Sequence, residues 1–158
     1  MMTLDMSASE AGTASGQNLP TSTLPGNLIA RGWKQRNLGG FIDCAGPLWT
    51  CKEDAGWAYG IFAEARHLNR AGLVHGGLLE TLMDHAVSSI AWEASRRQPC
   101  VTLQMDAHFL APALEGMFLE ARGMLVHRTS GTLFMQGSLT SGGKPLMSAQ
   151  ALMKIVQG

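Results

Sequence analysis

The chain has 158 residues, 46% apolar and 15% charged, and its twelve Lys and Arg are balanced by twelve Asp and Glu. That length suits one domain with a substantial core rather than two, and the zero net charge leaves no basic footprint for nucleic acid and no polybasic patch for a membrane surface. High burial capacity with little solvating charge points to an oligomer, and three cysteines without a CxxC pair or a His at metal-ligand spacing read as reduced thiols of a cytoplasmic protein.

Residues 1–26 are rich in Ser, Thr, Gly and Ala, and are expected to form a disordered tail ahead of a single domain over 27–158. No run approaches the roughly 18 apolar residues of a membrane span, and the N-terminus lacks a basic region followed by an apolar core. A short helix is expected over Asn27–Asn37, with Leu28, Ile29 and Trp33 on one face and Gly39-Gly40 as its stop. The next stretch, GPLWTCKEDAGWAYGIFAEA, holds two apolar runs around Glu53-Asp54-Ala55-Gly56 and reads as a hairpin.

Gly76 to about Ala94 carries the one long helical pattern, with Leu78, Leu79, Leu82, Met83, Ala86, Val87, Ile90 and Ala94 at helical spacing. The apolar arc exceeds half the circumference, so the helix is expected to be buried almost all round. In the following strand Val101, Leu103, Met105, Ala107 and Phe109 should share one face, and Thr102, Gln104, Asp106 and His108 the other. Turns at Pro112–Gly116, Thr129–Gly131 and Ser141–Lys144 separate three further strands, the last with Met147, Ala149, Ala151, Met153 and Ile155 on one face. A hairpin, one buried helix and a four-strand meander describe an α+β hotdog fold, an antiparallel sheet wrapped around a central helix.

An acid inside that apolar helix, Asp84, follows His75-Gly76-Gly77 and, before it, Asn69. The strings HLNRAGLVHGGLLETLMDHA and VTLQMDAHFLAPALEG resemble the PaaI-like branch of hotdog acyl-CoA thioesterases, over roughly residues 40–156. The resemblance implies catalytic positions at Asp84, Asn69, His75, Gly76 and Thr102. Asp84 would attack the thioester or activate water, the Gly76 amide would hold the oxyanion, and Asn69 would position the carbonyl or the water. The substrate would be an acyl-CoA, with no cofactor and no metal.

The chemistry is consistent with these residue types. Thioester hydrolysis needs a carboxylate or an activated water at the carbonyl carbon and donors where negative charge develops. Unpaired N–H groups at a helix start supply such donors, and glycine lets a ligand approach the backbone. Gly77 beside this start, and Ser88 near Asp84 in helical projection, are expected to contact substrate. Eight residues of helix rise about 12 Å, so Asp84 and Gly76 of one chain cannot flank one carbonyl. Each site should therefore combine two subunits, and a homodimer assembling into a homotetramer is expected.

Simpler readings stand beside these. Asp84 could be a helix-surface acid, Asn69 a turn residue, His75 a residue that bonds backbone at the helix start, and Thr102 a good β-former. His67, His85, His108 and His127 share no metal spacing. Arg96, Arg97, Arg128 and Lys144 suit coenzyme A phosphates, with solvated surface charge the plainer reading of each. Two other functions compete: a non-catalytic acyl-CoA-binding sensor or scaffold, and a hydratase or dehydratase. The latter lacks the Asp-four-residues-His spacing of hydratase relatives, because Asp84 and His85 are adjacent.

Overall fold

A computed structural model describes residues 25–156. The apolar repeat over 76–94 forms the 19-residue helix α3, Gly76–Ala94. Ahead of it lie α1 (Pro25–Ala30), β1 (Lys34–Arg36), α2 (Phe41–Cys44), β2 (Leu48–Glu53), β3 (Gly56–Phe62) and a 3-10 turn at Ala65–His67. After it come β4 (Cys100–Phe109), β5 (Phe118–Arg128), β6 (Thr132–Ser141) and β7 (Lys144–Ile155). All seven strands join one antiparallel sheet in the order β1-β2-β3-β5-β6-β7-β4. The sheet curls around α3, as the hotdog reading requires.

The hairpin forms as expected, with Glu53 opposite Gly56 and a two-residue turn between them. The final strand also follows its pattern: Met147, Ala149, Ala151, Met153 and Ile155 are all buried. At the Ser141–Lys144 turn, Gly142 and Gly143 both take positive φ, 55° and 82°, the geometry of a type I′ hairpin turn.

Several expectations change, and one falls mostly outside the described residues. The expected tail lies outside the described residues except for 25 and 26, which begin α1. The helix expected over 27–37 ends at Ala30, because Gly32 turns the chain at φ 88° and residues 34–36 pair with β2 instead. Leu28 and Trp33 are buried as anticipated, but Ile29 faces solvent. The four late strands do not form a sequential meander: β5 pairs with β3, and β4 is carried to the far edge beside β7.

A further change concerns β4. Its pairing with β7 slips between Thr102 and Gln104, so Leu103 is an extra residue. One inserted residue inverts the alternation on one side of the slip. Thr102 therefore joins Met105 on the side facing the helix, while Val101 and Leu103 are exposed.

Nor is α3 buried all round. Leu78, Leu79, Leu82, Met83, Ala86, Val87 and Ala91 pack against the sheet. Glu80, Trp92 and Glu93 are exposed, and Thr81, Asp84, His85 and Ser88 are only partly covered. A second small core lies on the sheet's outer face, where Leu28 and Trp33 cover Trp49, Cys51, Ala58 and Phe118.

Candidate active site

The start of α3 is organised by His75. Its backbone is extended, and its Nδ1 accepts the Gly77 N–H at 3.0 Å, a side-chain cap on the helix. That bond places the imidazole proton of the neutral ring on Nε2. The Leu78 N–H goes to the His75 carbonyl. Among the described residues no acceptor is found for the Gly76 N–H, so the first helical amide remains free to donate. Gly77, expected to contact substrate, commits its amide to the cap. A side chain at Gly76 would meet the Phe109 ring at 3.1 Å, which accounts for glycine there.

Asn69 sits in the loop leading to this helix. Its Oδ1 accepts from the Ala71 and Leu73 amides at 2.9 and 3.2 Å, and its own N–H donates to the Leu73 carbonyl. The turn role is therefore real, and it consumes only the acceptor of the side chain. The Nδ2 donors remain for another partner. Asn69 and Gly76 line one hollow of about 400 Å³, walled by Leu73, Phe109 and Leu110.

Asp84 lines a different hollow of about 450 Å³, with Glu80, Thr81, His85, Ser88 and Met105. The Thr102 hydroxyl donates to Asp84 Oδ1 at 2.7 Å, across the interval between β4 and the helix. This contact depends on the β4 bulge, which turns Thr102 inward. Ser88 stands in the hollow with Asp84, one helical turn on.

His85 differs from its neighbour in environment. It packs edge-to-face on Tyr59 with ring centroids 5.1 Å apart, and burial pushes its pKa below the ordinary imidazole value, against the opposing pull of the Asp84 charge. A neutral ring at neutral pH follows. Among the described residues no group of His, Cys, Asp and Glu could hold a metal ion.

The site residues thus fall into two sets within the chain, Asp84, Thr102 and Ser88 in one and Asn69 and Gly76 in the other, with His75 and Gly77 shaping the helix start. Sequence reasoning missed Phe109 as the cover of Gly76 and Met105 as a wall beside Asp84. Both lie on β4, which follows α3 directly, but which of its side chains face the helix is set by the slip in its pairing with β7, so only strand register could have revealed them.

A sequence model of the thioesterase superfamily matches residues 71–148. A Pseudomonas aeruginosa protein provisionally named an esterase is 29% identical over 114 residues, 70% of this chain and 84% of that protein. The PaaI protein of E. coli, from the phenylacetic acid degradation operon, superposes with a TM-score of 0.60 at 20% identity, covering 65% of this chain and 73% of that one. A hypothetical thioesterase of Streptococcus pneumoniae, solved with coenzyme A, gives a TM-score of 0.58 at 21% identity, over 78% of this chain and 88% of that one. At these identities the two superpositions establish the hotdog fold.

Proposed function

We propose that this chain, matched over residues 71–148 by the thioesterase superfamily model, is a thioester hydrolase that cleaves acyl-CoA thioesters to a carboxylic acid and coenzyme A at two equivalent sites shared between the subunits of a homodimer. Asp84 of one subunit acts on the carbonyl carbon, as nucleophile or as the base that takes a proton from water. The Gly76 N–H of the other subunit holds the developing oxyanion, supported by the positive end of its helix. Either way a C–O bond forms as the C–S bond breaks, and where Asp84 is the nucleophile water then cleaves the acyl-Asp84 anhydride; in both routes the water's oxygen ends in the carboxylic acid and one of its protons on the departing thiolate. Thr102 fixes the Asp84 carboxylate, Asn69 offers Nδ2 to the carbonyl or the water, and His75 keeps the Gly76 end of the helix in place. Gly77 and Ser88 border the two halves.

The observation that carries this reading is that the free Gly76 amide and the Thr102-bonded Asp84 lie in separate hollows. About 12 Å of helix stands between them. Both must come to about 3 Å of the same reacting group, and two α3 helices running antiparallel across a two-fold axis would achieve that. The S. pneumoniae relative solved with coenzyme A supports the choice of thioester.

The test mixes two inactive variants. Asp84→Ala removes the acid, and Gly76→Pro removes the free N–H while keeping a residue that suits the first helical position. Each alone should lose at least about a hundredfold in kcat, the scale of one lost oxyanion donor or more. Co-refolded together, they should recover activity through mixed dimers that retain one intact site. Absence of recovery in demonstrated mixed dimers would overturn the shared site. Tight acyl-CoA binding without turnover in the unaltered protein would replace the enzyme by a binding protein.

A further inference from the structure

Arg96 and Arg97 are the only non-glycine residues with positive φ among the described residues, at 62° and 65°. They close α3 in the manner of a Schellman turn, the Arg97 N–H reaching the Trp92 carbonyl at 2.8 Å. Glycine is the ordinary choice for such a turn, and each non-glycine residue there costs roughly 1–2 kcal/mol. The backbone gives no reason for arginine at either position, so the reason lies in the side chains. The described ion pairs involve only Arg66 and Arg122, which leaves both arginines without a carboxylate partner. The Arg97 guanidinium rests over the exposed Trp92 ring, 5.3 Å from its centroid. Arg128 joins them by donating to the Ala94 carbonyl at the last turn of α3. Glu93, the carboxylate on this turn, is engaged by the Trp57 Nε1–H at 2.9 Å.

Two hollows that share His85 lie between this cluster and Asp84. One holds Asp84, and the other, of about 340 Å³, follows the helix past Ser89 to Trp92 and is bordered as well by Arg36 and Glu93. From Asp84 to the end of α3 the helix rises about 15 Å. The pantetheine arm, roughly 13 bonds from sulfur to the first phosphate, spans about 16 Å when extended at backbone-like bond lengths. Lys144, which shared the phosphate reading in the sequence, begins β7 at the end of that strand remote from Cys100, and is no part of the group.

We propose that Arg96 and Arg97, with Trp92 beneath Arg97, form the subsite for the phosphates of the coenzyme A nucleotide. The groove past His85 and Ser89 carries the pantetheine arm toward Asp84. The proposal rests on the acyl-CoA reading above and adds the residues that would discriminate a coenzyme A ester from a simpler thioester. Forked guanidinium donors suit phosphate oxygens, and an arginine held on an aromatic face loses less freedom on binding.

The test uses the double variant Arg96→Gly/Arg97→Gly in the full chain. Glycine is at ease at positive φ, so this variant should be at least as stable as the parent. With an acyl-CoA, KM should rise tenfold or more while kcat holds. With the N-acetylcysteamine thioester of the same acyl group, which has no nucleotide, both constants should match the parent. Added salt should raise the parent's KM for acyl-CoA and affect the variant less. An equal effect on the two substrates, or no effect on either, would overturn the subsite. Should the parent turn over neither thioester, the hydrolase reading itself has failed. Coenzyme A and dephospho-coenzyme A titrated into parent and variant then decide the subsite alone: weaker binding to the variant upholds it, and equal binding rejects it.

Discussion

In the proposed reaction Thr102 acts without touching the reacting bond. It is exposed to solvent on an edge strand, yet it donates to Asp84 Oδ1 at 2.7 Å and so fixes one carboxylate oxygen, leaving the other to face the hollow. A hydrogen bond to a charged group contributes about 1.5–3 kcal/mol. Thr102→Val keeps the β-branched shape the strand favours and removes only the donor. Its kcat should fall by roughly ten- to a hundredfold through a less well-aimed acid, with the fold unchanged by circular dichroism. An unchanged kcat would make the contact incidental. His85 illustrates the opposite case: next to Asp84 in sequence, it turns toward Tyr59, and burial keeps it neutral. Adjacent residues on a helix point about 100° apart, and here, on the border of one hollow, that angle takes the carboxylate to Thr102 and the imidazole to Tyr59.

Among the elements, β3 is closely packed from outside at Gly60. A methyl at Gly60 would lie 2.2 Å from the Phe118 ring, which is itself wedged against Trp33 and Phe62. Gly60→Ala should therefore destabilise the protein by about 1–3 kcal/mol, as overpacking does, and lower the midpoint of urea unfolding; an unshifted midpoint would mean that the outer core yields without cost. This outer core was hard to read in advance, because it depends on residues 25–33 folding back over a sheet face, which no local period announces. The elements that were legible are those with long, clean periods: α3 over Gly76–Ala94, the β2–β3 hairpin, and the alternation of β7. β4 was legible as a strand but not in its facing, because a bulge leaves no mark in an apolar/polar alternation. Its position at the sheet edge was equally hidden, since edge and centre are decided by which strands pair, here β3 with β5. The candidate site divides the same way. Asn69, His75, Gly76 and Asp84 stood in one readable string, whereas Phe109 and Met105 reach it only through register.

At the scale of the whole molecule, the single chain leaves two features uncovered. The ten-residue strand β4 is bonded on one side only, and Val101, Leu103, Phe109 and Leu110 are exposed along it. Beside it, the face of α3 that bears Asp84 lacks the cover that an apolar arc wider than half a turn calls for. Edge strands of soluble proteins are usually blunted by Lys, Pro, short length or a bulge, and of these β4, CVTLQMDAHF, has only the bulge at Leu103. A second copy meeting the first along this edge would satisfy the open backbone and cover the helix, and would bring the two half-sites together, so that assembly and activity should be lost together. Leu103→Lys separates this account from a simple loss of stability. Leu103 is 59% exposed, so a monomer should tolerate the exchange within about 0.5 kcal/mol. A charge buried at a paired edge is far less tolerable. Sedimentation should find the parent dimeric or larger and the variant shifted toward monomer. The specific activity of the variant should fall on dilution in step with its dimer fraction. A parent that sediments as a monomer with undiminished turnover would leave Asp84 and Gly76 to act without each other, and with them the shared site would fall.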